Sequence, residues 1–207
     1  MKRIWDISPP ISTDSPLFPG DRAYTQEWTA TIAPGCPVNL SAITMSPHIG
    51  AHADGPLHYG AGAATIGEVD LEPYLGPCRV IHAQRAGALV EPRHLAHASR
   101  DLPPRVLVRT CDKAPTQWSA EFSSFAPQTI AWLAELGVKL VGIDSQSVDP
   151  ASSKDLPSHQ LLLEHDIRVL ENLVLDDVEA GDYELIALPL RLVQADASPV
   201  RAVLREL

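Results

Sequence analysis

The stretch that most constrains this chain is "MSPHIGAHADGPLHYG", residues 45–60. It sets His48, His52, Asp54 and His58, whose side chains bind metals or move protons, among Pro47, Gly50, Gly55, Pro56 and Gly60. In a straight strand, rising about 3.3 Å per residue, His48 and His52 would stand about 13 Å apart. One zinc, which binds nitrogen at about 2.0–2.1 Å, cannot span that gap. A helix would bring positions i and i+4 together, but Gly50, Gly55 and Pro56 oppose a continuous helix. The segment is therefore expected to be a tightly curved loop after the strand "VNLSAITM". Its glycines would take backbone angles that other residues resist, or let the chain pass close to an ion. The alternative is a polar loop whose imidazoles cap backbone groups. Three histidines and an aspartate in so short a span favour metal binding.

A second donor group is expected from "SHQLLLEHDIRVLENLVLDDV". His159 opens a predicted helix there. Glu171 sits in an apolar, strand-like run, where a buried carboxylate needs a metal, a cation or a proton. Read blandly, Glu171 ends a strand in solvent and His159 caps the helix. Two cations suit the inventory better than one, because Asp54 and Glu171 can each bridge through two oxygens. Paired cations can activate water and polarise a carbonyl. His58 is then spare for general acid or base work.

The rest of the chain supplies a scaffold. Its 207 residues suffice for one sizeable core. The segments "TQEWTATI", "VNLSAITM", "CRVIHAQ", "RVLVRT", "KLVGID" and "YELIALPLRL" read as strands bounded by Pro and Gly turns. "PQTIAWLAELG" reads as a helix with Pro127 in its first turn, Ile130, Leu133 and Leu136 on one face, and Gly137 at its C-cap. "SHQLLLEHD" reads as a second helix with Ser158 as N-cap. The pattern predicts a single α/β domain over 1–207, compact and mixed, strand-rich with few helices and a barrel-like or layered sheet. One βα crossover is expected, from the helix that feeds "VKLVGID".

Bulk properties narrow the function. The formal charge of −10 argues against a nucleic-acid partner, which needs clustered cations. No run approaches the ~20 apolar residues of a membrane span, and the start "MKRIWDISPPIS" does not read as a signal peptide. Cys36, Cys78 and Cys111 are widely spaced, without CxxC, and read as reduced thiols of a cytoplasmic protein. His82, His94, His97 and His165 lie in ordinary surface or core-edge contexts. Asp144, in "GIDSQSVDP", is a weaker candidate that could equally cap a turn.

These motifs resemble the cyclase-like metal-dependent amidohydrolases, and within them the bacterial kynurenine formamidases. The signature HxGTHxDxPxH is matched by "HIGAHADGPLH", residues 48–58, with Ala51 in place of threonine as in the formamidase branch. The resemblance extends to "DISPPI", "FPGD", "VGIDSQSVDP", "SHQLLLEHDIRVLENL" and "SPVRAVL", and so covers nearly the whole chain. It implies two zinc ions. His48, His52 and Asp54 would hold one, Asp54 and His159 the other, and Glu171 would contact both. His58 would be the proton shuttle. Phe18, where the family often has tryptophan, would contact the substrate's ring without an indole N–H. In the loop 193–197, "VQAD" replaces the family's frequent Pro-Gly pair.

The implied reaction is hydrolysis of N-formyl-L-kynurenine to L-kynurenine and formate in tryptophan breakdown, by a homodimer. Manganese is an alternative metal. Rival readings are a related hydrolase acting on another aryl amide or a cyclic imide, and a zinc-stabilised interaction protein without catalysis.

Overall fold

A computed structural model describes residues 2–207. The strands are β1 (Ile4–Asp6), β2 (Thr25–Ala30), β3 (Leu40–Thr44), β4 (His52–Asp54), β5 (Leu75–His82), β6 (Leu89–Val90), β7 (Arg105–Arg109), β8 (Ser124–Phe125), β9 (Leu140–Ile143), β10 (Arg168–Glu171), β11 (Gly181–Ile186), β12 (Ala197–Pro199) and β13 (Val203–Arg205). The α-helices are α1 (Pro92–Leu95), α2 (Pro127–Glu135) and α3 (Pro157–Glu164). Nine strands form one sheet in the order β1-β13-β11-β5-β7-β9-β10-β4-β12, curled into a half-barrel. The strand-rich α/β class expected from sequence holds.

The middle of the sheet is parallel, from β5 through β7 and β9 to β10. Strands β7, β9 and β10 are buried on both faces, so they read as largely apolar runs, not as alternation. Val106, Val108, Val141, Ile143 and Val169 point to the face covered by Ile130 and Leu133 of α2 and Leu162 of α3. Leu107, Leu140 and Leu170, at the intervening positions, join Tyr74, Tyr183 and Leu204 in the opposite core. Gly142 lies where a Cβ would fall 2.5 Å from Leu107 Cδ2, so the inner layer packs directly against bare backbone.

Several expectations need correction. The chain makes three parallel connections where one was expected, because helices also precede β7 and β10. The strand read from "YELIALPLRL" ends at Ile186; Pro189 follows, without an N–H for a ladder. In α2, Leu136 is exposed at the C-terminus while Thr129, Ile130 and Leu133 are buried. Gly137 at φ +82° terminates that helix as expected. Hairpin β2–β3 stands outside the main sheet, with Trp28, Leu40 and Ile43 exposed. Among the described residues all three cysteines are free, and no helix is long and apolar enough to cross a membrane.

Candidate metal centre and active site

The histidine segment is not a loop throughout. Residues 47–51 turn, Gly50 takes φ +70°, and His52–Asp54 is strand β4. A 3-10 turn, Pro56–His58, follows. The left-handed angle at Gly50 bends the chain so that the His48 and His52 rings come within 4.9 Å, edge to face. His52 and Asp54, two apart on a strand, share a face. Gly55 has an ordinary φ of −83° but a close neighbour. A Cβ there would lie 2.7 Å from Ile66 N and 3.1 Å from Asp196 O.

Register brings the distant donors in. Strand β4 pairs antiparallel with β10, and Glu171 stands opposite His52. Glu171 does end its strand, yet it is buried, and its Oε1 accepts from Val148 N–H at 2.8 Å. His159 lies in the first turn of α3. Ser158 is not the N-cap: Leu156, at φ +45°, precedes the helix, and Ser158 is buried within it, its hydroxyl donating to Phe125 O. The first-turn N–H groups of Ser158 and His159 donate instead to the buried Asp149 carboxylate, each at 3.0 Å. A side chain outside the helix thus serves as its cap.

The donor atoms sort into two sets around the Asp54 carboxylate. Oδ1 lies 3.1 Å from His48 Nδ1 and 3.3 Å from His52 Nε2, which is 3.4 Å from Glu171 Oε2. Oδ2 lies 3.6 Å from His159 Nε2, itself 3.7 Å from Glu171 Oε1. Four ligands about 2.0–2.1 Å from a tetrahedral zinc are separated from one another by roughly 3.3 Å. His52, Asp54 and Glu171 thus offer donor atoms close enough together to share one cation, as do His48, Asp54 and His58, while His159 approaches one oxygen each of Asp54 and Glu171 from the other side.

Hydrogen bonds on the far side of the rings fix the faces presented. His52 Nδ1 meets Gly50 O at 3.0 Å, and a carbonyl only accepts, so Nδ1 donates and Nε2 faces the cluster. His159 Nδ1 donates to Asp149 Oδ2 at 2.7 Å, with the same result. His52 Nε2, His159 Nε2 and both Asp54 oxygens are buried and have no hydrogen-bond partner among the described residues. Lone pairs facing lone pairs in a buried site repel unless something positive lies between them. Protons alone would do so only with pronounced shifts. Burial lowers the His52 pKa, but Asp54 and Glu171 outweigh it and push it up to about 10. His159 is likewise raised to about 10, burial being outweighed by Asp149 and Asp54. Burial raises Asp54, while His159, His48 and His52 hold it well below the usual carboxylate range. The residues present fit a metal cofactor.

The cluster opens on a cleft of about 430 Å³, the size of a small-molecule site. Phe18 lines it, half exposed, edge to face with Trp118 at 5.9 Å. His58 is one-third exposed at the cleft; its ring is 4.4 Å from that of His48 and 6.0 Å from that of His159. It is near enough to His48 and Asp54 to form a third potential donor with them. Asp144 takes no part in the cluster. Its buried carboxylate accepts from the N–H and hydroxyl of Thr110 and from Cys111 N–H, fastening the ends of β7 and β9.

Asp149, Asp196 and Trp118 were not singled out from sequence. Asp149 lies in "GIDSQSVDP", where Asp144 drew attention. Trp118, isolated in the polar "PTQWSAE", carried the one available signal: an aromatic with no apolar partner nearby in sequence.

Comparison with known proteins identifies the family. The family model named Cyclase matches residues 5–150. The chain is 69% identical to a kynurenine formamidase of Bordetella pertussis over 100% of both chains. It is 66% identical to a kynurenine formamidase of Delftia acidovorans, over 100% of this chain and 99% of that one. A solved structure titled as a potential metal-dependent hydrolase with cyclase activity superposes with a TM-score of 0.86 at 27% identity, covering 100% of this chain and 99% of the other. With most of its length matched by the family model and relatives this similar from end to end, the chain belongs to the Cyclase family.

Proposed function

We propose that this chain is a kynurenine formamidase, a metal-dependent amidohydrolase that converts N-formyl-L-kynurenine and water to L-kynurenine and formate in tryptophan breakdown. The observation that carries this is the pair of donor sets around Asp54, open to an aromatic-lined cleft. A sealed structural site would leave no such opening. The relatives named kynurenine formamidase, similar over their full length, supply the substrate.

His48, His52 and Asp54 would hold one cation, Asp54 and His159 the other, with Glu171 touching both. Bound there, a cation pair acidifies water and polarises the formyl oxygen. Zinc suits the His and carboxylate donors, and manganese is the competing ion. Phe18, joined by Trp118, would hold the aryl ring. Water oxygen adds to the formyl carbon, the C–N bond breaks, and His58 carries a proton to the departing nitrogen. That nitrogen is an aryl amine, whose lone pair delocalises into the ring and eases departure. The chain acts as one metallohydrolase domain, residues 1–207, in the cytoplasm, consistent with three free thiols. It would work as a homodimer, for which the exposed Trp28, Leu40 and Ile43 of hairpin β2–β3 offer an apolar surface.

The test is hydrolysis measured against N-formyl-L-kynurenine, simple aryl formamides and isatin. Preference for formylkynurenine supports the proposal. Turnover of isatin alone would assign the site to cyclic imides.

A further inference from the structure

We propose that Asp196 is a positioning residue that holds the His58 imidazole in the orientation and tautomer required for proton transfer. This rests on the role given to His58 above.

Asp196 directly precedes β12, whose Ala197 stands opposite Asp54 of β4. Its carbonyl accepts from Gly55 N–H at 2.7 Å, and that of Ala195 accepts from Ile66 N–H at 3.0 Å. The missing Cβ at Gly55 permits this approach. Loop 193–197 is thus fastened to the strand that carries His52 and Asp54, and Asp196 is aimed into the cleft.

Its Oδ2 lies 3.0 Å from His48 Nε2 and 3.3 Å from His58 Nδ1. An ionised carboxylate only accepts, so both ring nitrogens donate to it. For His48 this leaves Nδ1 facing Asp54 Oδ1. For His58 it places the proton on Nδ1 and leaves Nε2 as the nitrogen that exchanges a proton with the substrate. Among the described residues, Asp196 is the one hydrogen-bond partner of the His58 ring. A ring at the end of a short 3-10 turn, one-third exposed, would sample both tautomers and several rotamers. One oxygen shared by two rings 4.4 Å apart also fixes the distance between His58 and the metal donors. Partners of this kind change activity by about 10- to 100-fold when removed.

The experiment uses the metal-saturated full chain. Asp196→Asn is expected to lower kcat by about 10- to 100-fold with KM within about twofold of the parent. Because Asp196 also accepts from the metal donor His48, metal is kept saturating, and kcat is read only where bound metal matches the parent. Nitrogen NMR of the His58 ring should change from one tautomer protonated at Nδ1 to a mixture. In a His58→Ala background, Asp196→Asn should cost no further activity. Parent-like kcat in Asp196→Asn, or a loss that tracks lost metal, or a loss of equal size without His58, would each overturn the proposal while leaving the formamidase reading intact. If Asp196→Asn folds poorly, Asp196→Ser is read by the same criteria. Full activity of His58→Ala would instead overturn the role of His58 itself, and this inference with it.

Discussion

Asp149 holds His159 twice: its Oδ2 accepts from the ring Nδ1 at 2.7 Å and from the backbone N–H at 3.0 Å. One buried carboxylate therefore caps α3 and turns the His159 Nε2 toward Asp54. Burial raises the Asp149 pKa, but the bonds from His159 and Ser158 bring it below its ordinary value.

Asp149→Ala should therefore weaken metal binding by about 10- to 100-fold and cost about 1 kcal/mol of stability through the lost cap. Competition with a chelator reads the first effect and thermal unfolding the second. A stability loss without weaker metal binding would confine Asp149 to capping.

Glu171 reaches both donor sets, so Glu171→Ala should release metal, and the metal-to-protein ratio by elemental analysis should fall. An unchanged ratio would remove Glu171 from the centre. His58→Ala should behave oppositely, losing about 10²- to 10⁴-fold in kcat with metal retained. Equal loss of metal would make His58 a ligand.

Metal-free protein should show a distinctive pH dependence. His52 and His159 are raised to about 10 against about 6.5 when unfolded. A raised folded pKa stabilises fully below the unfolded value, and the gain is lost as pH rises toward about 10. Asp54 is lowered, so its contribution is present above about 3.9 and is lost as pH falls. Chelator-stripped protein should thus unfold at a lower temperature at pH 9 than at pH 6. Metal added near pH 7 should release protons, seen as buffer-dependent heats in calorimetry. Equal melting temperatures and buffer-independent heats would contradict these assignments.

Gly55→Ala should destabilise by about 1–3 kcal/mol, since its Cβ would meet the backbone of Ile66 and Asp196. That is a melting shift of several degrees, about 2–4 °C per kcal/mol for a chain of this size. Unchanged melting would mean that β4 and the 193–197 loop tolerate separation.

The sequence showed the strands of the parallel centre because burial on both faces leaves unbroken apolar runs such as "RVLVRT". It also made His48, His52, Asp54, His159 and Glu171 conspicuous, and the structure brings their donor atoms together. What it hid was register. Glu171 faces His52, and Asp196 reaches His58, through pairings between strands far apart in the chain, which no local spacing records. The cap of α3 was hidden for the same reason: Asp149 acts from outside the helix, so the nearer Ser158 took its place in the sequence pattern.

The central claim is that two cations share Asp54 and Glu171 beside an open cleft. Elemental analysis of purified protein, paired with formylkynurenine hydrolysis before and after chelation, tests it most directly. Two metal ions per chain are expected, with activity lost on stripping and regained on adding zinc or manganese. Undiminished hydrolysis by metal-free protein, or saturation at a single ion, would contradict it.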